Sequence, residues 1–287
     1  MMKIASLQPS ISIILDRLGC LDALAACTRY CLAQVPALRG RDLAVVHDSW
    51  STSADELLAV RPDLVIASVP YRNESLAAIL KAGCPVLALA PHSLADIEQD
   101  IRLIGAVAGV PERAAAIVAE MREAIAAMRR FTADLPSRPR VYCEEWGKPL
   151  IHSQLWVREL VEAAGGVFLG EPGTRTTPEA VAGADPDVVI AAWCGAGDRV
   201  PLDKLAARPS WERIRAVREG RLYCIADELL NTPAPTLVDG LHAITAAVHP
   251  DHFAWAHCGT GPFGTVLSGT NGGIRAPDQR RSTTACV

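Results

Sequence analysis

The sequence predicts an α/β protein built from two lobes that a single long helix joins. Three observations predict it: a length of 287 residues, short apolar runs that alternate with helix-like segments, and a second set of such runs after one long amphipathic stretch. Domains usually hold about 100–200 residues, so this length suits two compact units. Half of the residues are hydrophobic and few are aromatic, which favours helices packed on sheets over a sandwich or a barrel.

The first lobe is predicted from five runs rich in Val, Ile, Leu or Ala, each followed by a helix-like stretch. Continuous apolar runs are typical of strands that a parallel sheet buries on both faces. After the last run, Ser93 and Asp96 have the spacing of a helix N-cap, and this helix is predicted to stop at Gly109. The five runs are residues 3–7, 23–28, 43–47, 63–68 and 85–90.

A long amphipathic helix is predicted next, beginning at Pro111. Apolar side chains recur at helical spacing from Ala114 to Met128, which predicts one helix of about 20 residues and about 30 Å. The strand pattern then restarts with runs at 140–145, 167–170, 187–193 and 221–226.

The predicted domain organisation follows from this restart. We predict an N-terminal α/β lobe at 1–110, a bridging helix and linker at 111–137, and a C-terminal α/β lobe at 138–253. The remaining tail, residues 254–287, is rich in Gly, Thr and Ser and is expected to be loosely held or disordered.

The second lobe repeats a sequence pattern of the first. Residues 51–68 and 175–192 share the order polar cap, acid, apolar helix, Pro-Asp and apolar strand, without gaps at an offset of 124 residues (175 − 51 = 124). The simplest interpretation is an internal duplication of one αβ unit.

Composition excludes several functional classes. A net charge of −4, with no basic block beside aromatic residues, argues against a nucleic acid partner. No apolar run approaches the roughly 20 residues that cross a bilayer, so we expect no membrane insertion. No signal peptide is predicted, and the nine cysteines are scattered and odd in number, which together predict a cytoplasmic location.

Aromatic side chains gather where the predicted strands end. Ligands of open α/β sheets bind beyond the carboxyl ends of the strands, so a preformed cleft between the lobes is the expected site. Trp50, Trp146 and Trp193 fall within three residues of a strand end, which suits a flat apolar wall for a large organic ligand. The alternative for each one is that it covers the core of its own lobe. The predicted ligand-binding residues are Tyr30, Cys31, His47, Trp50, Tyr71, Glu145, Trp146, Trp156, Trp193 and Cys194.

Catalytic chemistry is not predicted. No nucleophile elbow, zinc-protease motif or phosphate-binding loop is present in a suitable context, so neither a catalytic residue nor a required cofactor is expected. Glu144 and Glu145 are neighbours in a strand, point to opposite faces, and do not form a catalytic pair by themselves. One set of strand-end residues has two interpretations. The first is a metal site, and the alternative is that these side chains are hydrogen-bonded or packed in the core. That set is Cys31, His47, Asp48, Glu145 and Cys194.

Four segments make the sequence resemble a known family. They are SLQPSISIILDRLG (6–19), RPDLVIAS (61–68), EEWGKPLIHSQLWVRELVEAAGG (144–166) and NTPAPTLVDGL (231–241). Over roughly residues 3–253 the chain resembles the class III substrate-binding proteins of ABC importers, especially their vitamin B12-binding branch. The resemblance implies two Rossmann-like α/β lobes bridged by one long helix, with a corrinoid, haem or iron–siderophore ligand bound between the lobes.

The resemblance also implies residue roles. Cys31, Trp146, Trp156 and Cys194 match positions of the cobalamin-binding branch, so a cobalamin-type corrinoid is the ligand it implies. Haem, an iron–siderophore or a metal ion is the alternative ligand, and an enzyme on the same scaffold is the least favoured function.

A partner is implied by the same resemblance. Glu74 and Glu179 match the acids that dock such proteins onto arginines of an ABC importer permease, although the helix dipole alone also favours acids at helix starts. We expect the protein to be a monomer.

Overall fold

The computed structural model describes residues 2–253 together with Ser268–Gly269. Two compact units make up the chain. Unit 1 comprises Met1–Arg130 and Thr232–Val238, and unit 2 comprises Phe131–Asn231 and Asp239–Val287. Each unit has its own sheet with helices, so the predicted α/β class is confirmed. The domain boundaries predicted from the sequence stay a prediction, and apart from Ser268–Gly269 the tail lies outside the described residues.

Unit 1 is built on a five-stranded parallel sheet in the order β3-β2-β1-β4-β5. Its central strands are apolar on both faces and buried, as the continuous runs predicted. The strands are β1 (Ile4–Ser6), β2 (Leu24–Thr28), β3 (Ala44–Val46), β4 (Leu64–Ser68) and β5 (Val86–Leu89). The helices among them are α1 (Pro9–Arg17), α2 (Arg29–Gln34), α3 (Ala54–Val60), α4 (Asn73–Lys81) and α5 (Leu94–Val107).

Two predicted helices have the expected ends. In α5 the Ser93 hydroxyl accepts from the Asp96 N–H, and the Asp96 carboxylate accepts from the Ser93 N–H, which completes a capping box. The long amphipathic helix is α6 (Pro111–Ala133), and it buries the apolar positions that the spacing predicted, including Ala114, Val118 and Met121.

Unit 2 has a seven-stranded mixed sheet in the order β12-β11-β10-β6-β7-β9, with β8 paired to β6. The strands are β6 (Arg140–Gly147), β7 (Leu150–His152), β8 (Val167–Phe168), β9 (Arg175–Thr176), β10 (Val188–Ala191), β11 (Leu222–Cys224) and β12 (Ser268–Gly269). The helices are α7 (Leu155–Ala163), α8 (Pro178–Ala184), α9 (Leu202–Ala206), α10 (Arg215–Arg218), α11 (Asp227–Leu230) and α12 (Leu237–Val248).

The second sheet corrects the prediction in two places. The run at 140–145 does not end at Glu145, because β6 continues to Gly147 and turns into an antiparallel hairpin with β7. The run at 167–170 forms only the two-residue strand Val167–Phe168. Strands β7 and β9 were not predicted, since each is too short to show an apolar pattern.

The predicted duplication is visible in the elements themselves. Helix α3 starts at Ala54 and α8 at Pro178, an offset of 124 residues (178 − 54 = 124). Both helices end at a residue in the left-handed conformation, Arg61 with φ 52° and Asp185 with φ 42°. The following strands, β4 and β10, each lie between two parallel neighbours. The same αβ unit therefore occurs once in each half.

The contact between α5 and α6 allows a test of the packing in unit 1. Gly105→Ala would place a Cβ against the Cβ of Ala114, well inside their contact distance. We expect this variant to lose about 1–3 kcal/mol of unfolding free energy through overpacking. Gly183→Ala is the control, because a Cβ there meets open space and alanine favours a helix. Thermal melts that show equal midpoints for the two variants would contradict the described packing.

Candidate functional site

The end of β6 carries two carboxylates and a tryptophan, and Glu144 is the last residue of β6 that pairs in parallel with β10. Glu144 is fully buried and Glu145 only partly, because neighbouring residues in a strand point to opposite faces. Lys148 and Pro149 form the turn between β6 and β7. The Trp146 indole N–H donates to the Lys148 carbonyl at 2.8 Å, which fixes a ring that is still 44% exposed.

Gly147 allows this hairpin to approach Trp193, which follows β10. A Cβ at Gly147 would lie 2.5 Å from Cζ2 of the Trp193 ring, closer than real Cβ contacts come. The position therefore requires glycine as long as the Trp193 ring keeps its place.

Trp146 and Trp193 both line a cavity in unit 2 of about 660 Å³. This volume lies in the range of about 300–1,000 Å³ that is typical of small-molecule sites. The lining residues are Trp146, Gly147, Lys148, Trp193, Cys194, Gly195, Ala196, Pro201, Lys204, Leu205 and Arg208.

A buried ion pair fixes the Trp193 side of this cavity. The Arg208 guanidinium donates to both oxygens of Glu144, at 2.6 Å to Oε2 and 2.8 Å to Oε1. The Trp193 indole N–H donates to Oε1 and the Tyr142 hydroxyl donates to Oε2, each at 2.8 Å. The guanidinium also lies over the Trp211 ring, 4.7 Å from its centroid. Glu144 thus accepts four hydrogen bonds, which offset the cost of burying its charge.

The opposite face of β6 carries a second polar cluster. Glu145 accepts from the Gln154 amide at 2.7 Å, and the Cys194 thiol lies 3.8 Å from Oε1. Burial raises the pKa of Glu145. Burial, with the charges of Glu145 and Asp227, raises the pKa of Cys194 to about 12, so this thiol stays protonated near pH 7.

The loop that follows β10 is held by one carboxylate. Asp227 accepts the N–H groups of Gly195 at 2.7 Å and Gly197 at 2.8 Å. Both glycines have positive φ values of 79° and 59°, which glycine adopts without steric cost. One wall of the cavity is therefore tied to the start of α11.

Unit 1 has a smaller cavity of about 260 Å³ beyond the ends of β2 and β3. The Arg29 guanidinium donates to the Tyr30 hydroxyl at 2.7 Å, and the His47 Nδ1 lies 2.9 Å from a Glu56 oxygen. The lining residues are Thr28, Arg29, Tyr30, Val45, Val46, His47, Asp48 and Ser51.

The structure distributes the predicted site residues over these two cavities and the cores. Trp146, Trp193 and Cys194 line the unit 2 cavity, and Tyr30 and His47 line the unit 1 cavity. Glu145 contacts Cys194 without lining the cavity itself. Trp50 is 53% exposed beneath the Arg72 guanidinium and Tyr71 is half-buried, and neither lines the two cavities.

Two predicted ligand-binding residues lie in the cores. Cys31 is fully buried, and its thiol lies 3.2 Å from the Thr28 hydroxyl. Trp156 is 4% exposed, and its indole N–H donates to the Leu230 carbonyl at 2.7 Å. Their burial does not support the prediction that they line a ligand site.

The described residues also bear on the metal and membrane predictions. Within residues 2–253 and 268–269, no group of three or more His, Cys, Asp or Glu side chains is placed to hold a metal ion. The five candidate metal ligands do not form such a group. None of the helices in the described part of the chain is long and apolar enough to span a bilayer.

Comparison with known proteins identifies the family. Residues 4–229 match the sequence profile of the periplasmic binding proteins. The chain belongs to the periplasmic binding protein family. This result confirms the resemblance and the fold predicted from the four sequence segments.

Three similar proteins show what this binding protein resembles. A cobalamin-binding protein of Halobacterium salinarum is 26% identical over 256 residues, which cover 86% of this chain and 69% of that protein. The ABC transporter substrate-binding lipoprotein YvrC of Bacillus subtilis is 24% identical over 263 residues, covering 88% and 81%. The crystal structure of a periplasmic heme-binding protein from Pseudomonas aeruginosa has 26% identity and a TM-score of 0.77, covering 88% of this chain and 94% of that one.

Sequence reasoning missed the residues that α9 and the following segment bring to the cavity of this binding protein. Pro201, Lys204, Leu205 and Arg208 lie ten or more residues beyond the end of β10, outside the few strand-end positions that were considered. Their spacing of 3, 4 and 7 residues from Pro201 is that of one helix face, and this was the available signal.

The ion pair of Glu144 with Arg208 predicts a large stability effect. Arg208→Met leaves a buried carboxylate without its counter-ion, and we expect a loss of about 3–5 kcal/mol of unfolding free energy in urea titrations. The double variant Glu144→Gln/Arg208→Met should recover part of that loss. Arg213→Met is the control, because the Arg213 side chain is 87% exposed. Wild-type stability in Arg208→Met would contradict the role of the pair.

Proposed function

We propose that this chain binds a cobalamin-type corrinoid or a related flat macrocycle at the cavity of unit 2. The observation that carries the proposal is the pair of strand-end tryptophans, Trp146 and Trp193, on one cavity. Both rings are held by indole hydrogen bonds, so a ligand would meet an apolar surface that is already ordered. The similarity to the cobalamin-binding protein of Halobacterium salinarum supports this choice of ligand.

Haem is the second candidate ligand. The Pseudomonas aeruginosa protein of similar fold and 26% identity is a heme-binding protein, which supports a porphyrin in place of a corrinoid. An iron–siderophore remains an alternative. A bare metal ion is less favoured, because the described residues hold no cluster of three or more potential metal ligands.

We propose a binding role without catalysis. The reactive groups nearest the cavity are poorly suited to catalysis. The Cys194 thiol is protonated near pH 7 and is therefore a weak nucleophile. Glu144 already accepts four hydrogen bonds. A nucleophile needs an adjacent base or a lowered pKa, and Cys194 has the opposite shift.

The cytoplasmic location stays a prediction. It is supported by the seven cysteines of the described residues, which are all free. Fractionation of the native cells decides it, and recovery of the protein from the periplasm would contradict it.

The ligand proposal predicts a defined effect of Trp146. Trp146→Ala removes an apolar ring worth about 1–3 kcal/mol on burial, so we expect about tenfold weaker binding of cyanocobalamin or dicyanocobinamide by titration calorimetry. Leu103→Ala serves as the control, because this exposed residue of α5 lines neither cavity.

The same titration with hemin separates the two candidate ligands. Binding of hemin without binding of either corrinoid would replace the corrinoid by haem. No binding of corrinoid or hemin would show that the proposed function is wrong.

We propose an ABC importer permease as the partner of exposed acids in the case that fractionation places the protein outside the cytoplasm, and the fold refines which acids to test. Glu74 is in the first turn of α4, which follows β4, and its side chain is 80% exposed. Glu179 is exposed in α8, which precedes β10. Since β10 is the counterpart of β4, the helix that corresponds to α4 is α9, and its first turn carries the exposed Asp203.

A capture experiment tests this partner. We expect Glu74→Ala/Asp203→Ala to weaken capture of an ABC permease from native membranes more than Glu74→Ala/Glu179→Ala does. The physical reason is that Glu74 and Asp203, at equivalent helices of the two duplicated units, each offer an exposed negative charge to arginines of a permease. Unchanged capture by both double variants, or no permease captured by the wild type, would contradict the proposal.

A further inference from the structure

The unit 2 cavity is lined by charges of one sign. Its eleven lining residues include the cations Lys148, Lys204 and Arg208 and no acid. A concave site with low-dielectric walls concentrates the field of such charges. The unit 1 cavity differs, because Asp48 lines it together with Arg29.

Arg208 does not contribute an uncompensated positive charge to the cavity. Its guanidinium donates to both oxygens of Glu144 at 2.6 and 2.8 Å, so the two formal charges compensate each other inside the wall. The residue is also held over Trp211, with 13% of its side chain exposed. Arg208 therefore acts as a fixed and neutralised part of the cavity.

Lys148 and Lys204 have no such carboxylate partner among the described residues. Both are exposed, and no ion pair joins either ammonium group to a carboxylate in the part of the chain that the structure describes. Lysine is rare here, because the 28 Lys and Arg residues include only Lys3, Lys81, Lys148 and Lys204. Two of four lysines at one cavity are therefore not the result of a lysine-rich surface.

Each of these lysines is attached to a fixed part of the wall. The Lys148 carbonyl accepts from the Trp146 indole, so its backbone is held at the hairpin turn beside that ring. Lys204 lies in α9, four residues before Arg208. The backbones are ordered, and the long side chains leave the ammonium groups in water at the cavity, where they can reach anionic groups of a bound molecule.

We propose that Lys148 and Lys204 are specificity-determining residues that select a macrocycle with ionised carboxylates on its periphery. This inference rests on the proposed function and names its substrate class. The ring lies against Trp146 and Trp193, and the peripheral carboxylates reach the two ammonium groups. A corrinoid whose peripheral acids are all amides lacks that second contact.

Two ligands with the same ring and metal test the inference. Dicyanocobyrinic acid carries peripheral carboxylates, whereas dicyanocobinamide carries amides in their place. In low salt we expect the wild type to bind the acid about three- to tenfold more tightly, which is the size of two exposed charge pairs. The preference should fall as ionic strength rises from about 0.02 to about 0.5 M, because salt screens exposed charges.

The variant Lys148→Gln/Lys204→Gln should abolish the preference, so that the ratio of its dissociation constants for the two ligands approaches one. Lys81→Gln is the matched control, since Lys81 is an exposed lysine that lines neither cavity. Equal binding of the two ligands by the wild type, or an unchanged preference in the double variant, would overturn the inference and leave the proposed function intact. No binding of either ligand or of hemin would overturn both.

Discussion

The buried pair of Glu144 with Arg208 is the interaction on which the site in unit 2 depends. Glu144 lies on a central strand, and Arg208 lies in the segment after α9, 64 residues later. One carboxylate thus joins the sheet to the segment that forms a wall of the cavity, and it also orients the Trp193 indole. An apolar residue at position 144 would leave the guanidinium without its acceptors, and the Trp193 indole would lose the hydrogen bond that orients it.

Much of the fold could be predicted because its signals are local. Buried parallel strands appear in the sequence as apolar runs. The helix cap at Ser93 is indicated by Asp96 three residues later, and α6 is indicated by apolar residues on one helix face. The duplication could be predicted for the same reason, and it even extends to the left-handed residues Arg61 and Asp185. The short strands β7 and β9 carry no such signal, since two or three residues define no period.

The site could be predicted only where it coincides with strand ends. Trp146 lies in the last residues of β6, Trp193 and Cys194 follow β10, and all three line the cavity. Cys31 and Trp156 lie in the helices that follow β2 and β7, yet both are buried, because the sequence does not show which face of a helix meets the core. Arg208 could not be paired with Glu144 from sequence, since a separation of 64 residues is set by the tertiary fold.

Different residues determine the shape and the charge of the cavity. Its rigid part consists of Trp193, Glu144 and Arg208, whose hydrogen bonds leave no net charge and whose loss destabilises the unit. Its charged part consists of Lys148 and Lys204, which are exposed, so that substitution there changes stability by at most about 0.5 kcal/mol. A free arginine in the rigid wall would attract any anion and would be costly to bury. With the arginine neutralised, the preference for a ligand's charge rests on two positions that can change without disturbing the fold.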